Sequence, residues 1–169
     1  MTTFILAAIT ADGFIAKNES HAALWTSKED KKRLVELTKR AGVVVMGSTT
    51  YKTLPRPLKE RVNIVYSRDK QFEGAETTQK NPHELIQELE GRGFKEVAIL
   101  GGSHIYTLFL KAQAVDHIYL TIEPILFGTG IKLFNEELNT QLVLEEMVKT
   151  DTGSLLLKYK VNYTGATAE

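Results

Sequence analysis

Leu24-Trp25-Thr26-Ser27-Lys28-Glu29-Asp30 leads into a helical stretch, and Gly42-Val43-Val44-Val45-Met46-Gly47 follows it. Thr26 or Ser27 can cap the helix, with Glu29 or Asp30 three residues later placed to close a capping box. Beyond the cap, Asp30, Leu34, Leu37 and Ala41 recur with the rhythm of one helix face, and the spacing predicts a helix over 27–40. That face is otherwise apolar, so one carboxylate is aimed at the interior from the first turn. A buried acid without a partner is costly. Asp30 is therefore expected either to meet a ligand or polar neighbour inside, or to sit in solvent as part of the capping box. The run 42–46 is too short for a helix and continuously apolar, and it reads as a strand buried on both faces. A helix feeding such a strand is the repeating unit of an α/β sheet.

The same alternation extends in both directions. Residues 4–10 read as another doubly buried strand, punctuated by Asp12-Gly13. Residues 17–23 are polar and loop-like, 49–53 form a short helix before Pro55-Arg56-Pro57, 63–66 a third strand and 76–78 a short one. Asn81-Pro82 marks a helix start, with Asn as the cap and Pro at the first helical position, and that helix runs to about 92. A strand over 97–100, the pair Gly101-Gly102, a helix from about 103 to 112 and a strand over 117–122 follow. Residues 142–149 and 154–163 pair antiparallel around Asp151-Thr152-Gly153. The expected architecture is α/β: a mostly parallel central sheet with an antiparallel C-terminal edge and helices on both faces. One domain is expected over 1–163, with a small polar tail, 164–169, that frays.

Composition narrows the function. At 169 residues the chain can bury a core and a small-molecule pocket. Lys+Arg and Asp+Glu both number 21, so no basic excess points to nucleic acid or an anionic membrane. The absence of cysteine excludes disulfides, thiolate catalysis and cysteine-ligated zinc. His21, His83, His104 and His117 show no metal-ligand spacing, so no metal is expected. No apolar run approaches the roughly 18 residues of a membrane span, and residues 4–9 are not preceded by a basic leader. A cytoplasmic protein, monomeric or homodimeric, is expected.

Ligands of parallel sheets bind at the carboxyl ends of the strands, and three short motifs fall there. Gly101-Gly102-Ser103 separates a strand from a helix. Its glycines either let a phosphate approach the backbone at a helix N-terminus or serve tight packing of the turn. Gly47-Ser48-Thr49-Thr50 repeats that shape with three hydroxyls, either for phosphate oxygens or as an ordinary cap. Ser67-Arg68 ends a third strand, where it either holds a phosphate monoester or is plain surface. His104 is in the first turn of its helix and can face a phosphate.

As a set these motifs resemble dihydrofolate reductase. The resemblance is carried by Leu6-Ala7-Ala8-Ile9 with Asp12-Gly13-Phe14-Ile15, by Trp25 with Asp30, and by Val44-Val45-Met46-Gly47-Ser48-Thr49-Thr50-Tyr51. It continues through Leu54-Pro55-Arg56-Pro57-Leu58 to Arg61, Asn63-Ile64-Val65-Tyr66-Ser67-Arg68, Ile99-Leu100-Gly101-Gly102-Ser103-His104-Ile105-Tyr106 and Tyr119-Leu120-Thr121. The distal stretch Pro124-Ile125-Leu126-Phe127-Gly128-Thr129-Gly130-Ile131-Lys132-Leu133-Phe134 is similar to the reductase domain of the bifunctional riboflavin-biosynthesis deaminase/reductase, which shares the fold and NADPH.

The resemblance implies a role for each site. Asp30 binds the 2-amino and N3 edge of a pterin, supported by Thr121 through water, with Tyr106 beside the nicotinamide. Leu6, Leu34, Leu54 and Leu100 line the slot for the ring and its aryl extension, and Arg61 takes the glutamate tail. Ala8 and Ile15 offer backbone groups to the nicotinamide carboxamide. Gly101, Gly102, Ser103 and His104 meet the pyrophosphate of NADPH, with Gly47, Ser48, Thr49 and Thr50 opposite. Ser67 and Arg68 hold the 2′-phosphate. Ser48 stands where the family usually has arginine, so Arg68 is expected to select NADPH. Lys31 replaces a common apolar pocket residue, and Leu24 the usual proline before Trp25. The implied activity is NADPH-dependent reduction of dihydrofolate to tetrahydrofolate. The alternatives are reduction of the riboflavin-pathway pyrimidine, a ribosylamino sugar phosphate, and a nucleotide-binding module without turnover.

Overall fold

A computed structural model describes residues 1–68 and 71–164; the expected tail lies outside them beyond Thr164. An eight-stranded sheet has the order β5-β4-β3-β6-β1-β7-β10-β9. Strands β1 (Thr2–Thr10), β3 (Val43–Gly47), β4 (Val62–Tyr66), β5 (Glu76–Thr78), β6 (Glu96–Ile99) and β7 (His117–Glu123) pair in parallel. Strand β10 (Leu155–Asn162) is antiparallel to β7, and β9 (Gln141–Lys149) to β10. The mostly parallel sheet with an antiparallel C-terminal edge is therefore the observed one.

The alternation of the strands builds two cores. Ile5, Ala7, Val43, Val45, Val97 and Ile99 face one layer, under α3 (Pro82–Gly91) and α4 (Ser103–Lys111). Phe4, Leu6, Val44, Met46 and Ala98 face the other, under α1 (Lys28–Ala41) and α2 (Ser48–Thr53). Both faces of the inner strands are dry, which is why those segments read as unbroken apolar runs rather than alternating ones. Leu89 and Phe109 are fully buried from the helix side, each contributing about 1.5–3 kcal/mol from removal of apolar surface.

Two local expectations are corrected. Ser27 caps α1, its side chain accepting from the Asp30 N–H at 3.2 Å, but the capping box at this helix does not close. The Ser27 N–H donates instead to Glu123 Oε1 at 2.9 Å, and the Asp30 side chain turns inward. The complete box is at α3, where Asn81 and Glu84 exchange both bonds. The structure also contains a second sheet, β2 (Phe14–Ala16) with β8 (Ile131–Lys132), in segments the sequence reading left outside regular structure. These strands are too short to carry a periodic signal. They meet because Asp12 accepts the Phe127 and Gly128 N–H groups, at 3.2 and 2.7 Å, which draws the distal loop onto the end of β1. Gly130 permits the final approach, since a Cβ there would lie 2.3 Å from the Ala16 carbonyl oxygen.

Candidate functional site

The carboxyl ends of β1, β3, β4 and β6 open on a cavity of about 1590 Å³. That exceeds the roughly 300–1,000 Å³ of a single small-molecule site and has room for two ligands in line. One end is apolar with an acid in it; the other is glycine- and hydroxyl-lined.

At the first end Asp30 lies in the wall with Leu6, Leu34, Leu100, Trp25 and Thr26. It is only 6 % exposed. Burial pushes its pKa above the ordinary carboxylate value; the nearby hydroxyls of Thr121 and Thr26 oppose the shift, the Glu123 carboxylate adds to it and Arg33 opposes it. Thr121 sits opposite Ala8 on the neighbouring strand and is fully buried; its hydroxyl has no hydrogen-bond partner among the described residues. Arg33 does not neutralise Asp30 as a direct ion pair. Its guanidinium donates to the Leu157 and Leu120 carbonyl oxygens at 2.7 and 3.3 Å and lies 5.1 Å from the Tyr119 ring centre. The Trp25 indole Nε1 is buried on the same wall with no acceptor among the described residues, a donor suited to a heterocycle or a bridging water. Lys31 turns back from the cavity, its ammonium donating to the Thr26 carbonyl oxygen at 2.6 Å.

At the other end the Gly47 N–H donates to the Gly101 carbonyl oxygen at 2.7 Å, stapling β3 to the turn after β6. The Gly101–Gly102 peptide is cis. Gly102 and Thr50 face each other so closely that a Cβ on Gly102 would lie 3.2 Å from Thr50 Oγ1. Ser103 opens α4 with its hydroxyl buried and unpartnered among the described residues, where the positive end of the helix dipole favours an anion. Ser48, Thr49, Thr50, Ser67, Arg68 and the exposed His104 complete this end. Between the two ends lie Ala8, Ile15 and Tyr106. The Tyr106 hydroxyl donates to the Leu6 carbonyl oxygen at 2.9 Å, and burial pushes its pKa far up, so it remains neutral.

Four expected site residues are not on the cavity wall. Thr121 is fully buried within β7, and Gly101 is the residue before Gly102 in the turn after β6. Leu54 packs into the core layer under α1 and α2. Arg61 donates from Nη1 to Thr38 Oγ1 at 2.8 Å and from Nε to the Lys59 carbonyl oxygen at 2.7 Å, tying the turn before β4 to α1. Sequence reasoning missed Glu123, because the strand was expected to stop at residue 122. β7 instead continues one residue further, with Glu123 opposite Thr10, and Glu123 is 4 % exposed. An acid ending an apolar strand just before Pro124 was the available signal.

The dihydrofolate reductase family model matches residues 2–128. A bifunctional dihydrofolate reductase-thymidylate synthase of Acanthamoeba polyphaga mimivirus is 31% identical over 132 residues, covering 69% of this chain but only 23% of the viral protein. The uncharacterized protein YwjB of Bacillus subtilis is 25% identical over 154 residues, covering 81% of this chain and 84% of its own length. Among solved structures, a putative riboflavin biosynthesis protein from Shewanella sp. PV-4 superimposes with a TM-score of 0.83 at 22% identity, over 96% of this chain and 99% of that one. With the family model spanning both ends of the cleft, from β1 past Glu123, this chain belongs to the dihydrofolate reductase family.

Proposed function

We propose that residues 1–163 act as one NADPH-dependent reductase domain that transfers a hydride to the C=N bond of a pterin, with dihydrofolate as the leading substrate. The observation that carries this reading is Asp30: an acid 6 % exposed, in an apolar slot, beside the Thr121 and Thr26 hydroxyls and with no ion pair among the described residues. Such a group is suited to recognising an amidine-like edge with two hydrogen bonds and to favouring the protonated, electrophilic imine.

The other end fits NADPH on two observations. The buried Ser103 hydroxyl lacks a partner among the described residues, and the glycine shelf admits a backbone approach that a side chain on Gly102 would obstruct. Gly102, Ser103 and His104 would hold the pyrophosphate, with Gly101 shaping the turn beneath and Gly47, Ser48, Thr49 and Thr50 opposite. Ser67 and Arg68 would take the 2′-phosphate, and Ala8 and Ile15 the carboxamide. When bound, NADPH supplies the hydride. The chain's own work is orientation, exclusion of water by Leu6, Leu34 and Leu100, and, through the raised proton affinity of Asp30, holding a proton at the substrate end of the cleft. Tyr106 stays neutral and tethers the middle of the cleft to β1.

Arg68→Ala should weaken NADPH by about tenfold to a hundredfold, the worth of a charge-assisted bond of roughly 1.5–3 kcal/mol, and NADH much less. Titration of both nucleotides checks this, and equal losses would remove Arg68 from 2′-phosphate reading.

Reduction of the riboflavin-pathway pyrimidine is the second reading, supported by the end-to-end likeness to the Shewanella protein and by the two bonds that hold Arg61 against Thr38 and Lys59. A dihydrofolate tail reaching Arg61 predicts that Arg61→Lys raises KM for dihydrofolate, because lysine cannot copy a two-bond grip on a carboxylate. Dihydropterin, without the tail, should be unaffected. An unchanged dihydrofolate KM assigns Arg61 to the turn alone. The deciding experiment follows NADPH oxidation with dihydrofolate and, separately, with the pyrimidine. Tight NADPH binding without oxidation by either would leave only a nucleotide-binding module.

A further inference from the structure

Glu123 has no part in the scheme above, yet it is among the most constrained carboxylates in the molecule. Its Oε1 accepts from the Ser27 N–H at 2.9 Å and from Ser27 Oγ at 2.7 Å, and its Oε2 accepts from Ser154 Oγ at 2.6 Å. Glu123 ends β7, Ser27 caps α1 and Ser154 immediately precedes β10, so one side chain ties three elements together. Ser154 is itself fully buried.

The bond from the Ser27 N–H is the informative one. In a closed capping box that N–H is taken by the acidic side chain at the third helical position, which in α1 is Asp30. Glu123 occupies this partner, so Asp30 has no capping work to do and its carboxyl points into the cavity. We infer that Glu123 is a positioning residue for Asp30: it clamps the first turn of α1 to the ends of β7 and β10 and relieves Asp30 of capping. This rests on the reading of Asp30 as the carboxyl group that meets the substrate.

A like charge favours retention of a proton at its neighbour, which places Glu123 on the same side as burial in raising the proton affinity of Asp30. The other groups facing Asp30 are Thr121 on β7, Thr26 before the cap, Arg33 on α1 and Tyr106 on α4. The hydroxyls of Thr121 and Thr26 and the charge of Arg33 act in the opposite direction, and Tyr106 is neutral. Ser27 and Ser154 face Glu123 as donors.

The test separates clamp from charge. Glu123→Gln keeps the shape and can accept both Ser27 bonds through its amide oxygen while donating to Ser154, so only the charge is lost. The Asp30 carboxyl, titrated by carbon-13 NMR, should then lose its proton at lower pH than in the wild type. At a fixed pH on the alkaline limb, kcat/KM should fall about two- to tenfold. Glu123→Ala removes the clamp as well, and turnover should fall at every pH, with Glu123→Gln restoring the acid plateau. An Asp30 midpoint identical in wild type and a folded Glu123→Gln variant overturns the inference, as does full turnover in Glu123→Ala. If Glu123→Gln does not fold, Ser154→Ala loosens the hold on Glu123 and is read by the same NMR signal, where a titration unchanged from wild type is again the overturning result. Because the NMR titration needs no substrate, a midpoint that shifts in a protein inactive toward both substrates would sink the catalytic reading and leave the Glu123–Asp30 coupling intact.

Discussion

Asp30→Asn lowers turnover by a factor on the order of 10² or more, the scale of acid–base roles, while nucleotide affinity is retained because Asp30 is at the opposite end of the cleft from Ser103 and Arg68. Single-turnover oxidation of NADPH at saturating substrate is the direct readout, and turnover within a few-fold of wild type would falsify the assignment. The same substitution should raise the melting temperature at pH 7. The reason is linkage: burial raises the Asp30 pKa in the folded state above its ordinary value, so the folded protein binds this proton more tightly than the unfolded chain. Stability is then lost as pH rises from the unfolded carboxylate value through the folded one. Asparagine keeps the shape without the buried charge. The catalytic rate follows the same titration and declines as Asp30 ionises. An inactive variant that is also more stable at pH 7, and no longer loses stability through that window, is the combined signature of a functional rather than structural acid.

Gly101→Ala is expected to be a strongly damaging single-methyl change on the glycine shelf. Gly101 has φ +101°, and a Cβ there would lie 2.8 Å from Cζ and 2.9 Å from Cε2 of Tyr106, a residue that is itself buried and anchored to the Leu6 carbonyl. The backbone strain costs about 1–3 kcal/mol, and overpacking a ring that has no room to retreat costs about 1–3 kcal/mol more. Gly93→Ala is the control, because Gly93 also has positive φ, +92°, but nothing within 4 Å of its Cβ position. Chemical denaturation should therefore show a larger loss for Gly101→Ala than for Gly93→Ala, and only the former should abolish nucleotide binding. Equal losses in stability with binding preserved in both would mean that the Tyr106 contact does not shape the shelf.

The local elements of this protein were legible in its sequence because their signals are local. Asn81-Pro82 announces α3 by capping chemistry, and the Asp30, Leu34, Leu37, Ala41 rhythm announces α1. The unbroken apolar runs around Val44 and Ile99 announce strands covered on both faces. The carboxyl ends of those strands, with Gly47 and Gly101-Gly102, located the cleft, because a parallel sheet leaves its loops and helix N-termini there. What the sequence by itself could not decide was the direction in which individual polar side chains turn. Asp30 was equally a capping acid and an inward one until Glu123, 93 residues away in sequence, took the Ser27 N–H. Arg61 read as a substrate arginine, with a structural surface residue as the alternative, and the folded chain holds it against Thr38 and Lys59. The β2–β8 pair depends on Asp12 reaching Phe127 and Gly128. In each case the competing local conformations differ by no more than a hydrogen bond or two, about 1 kcal/mol apiece, so the outcome belongs to whichever distant partner the packed sheet brings within 3 Å.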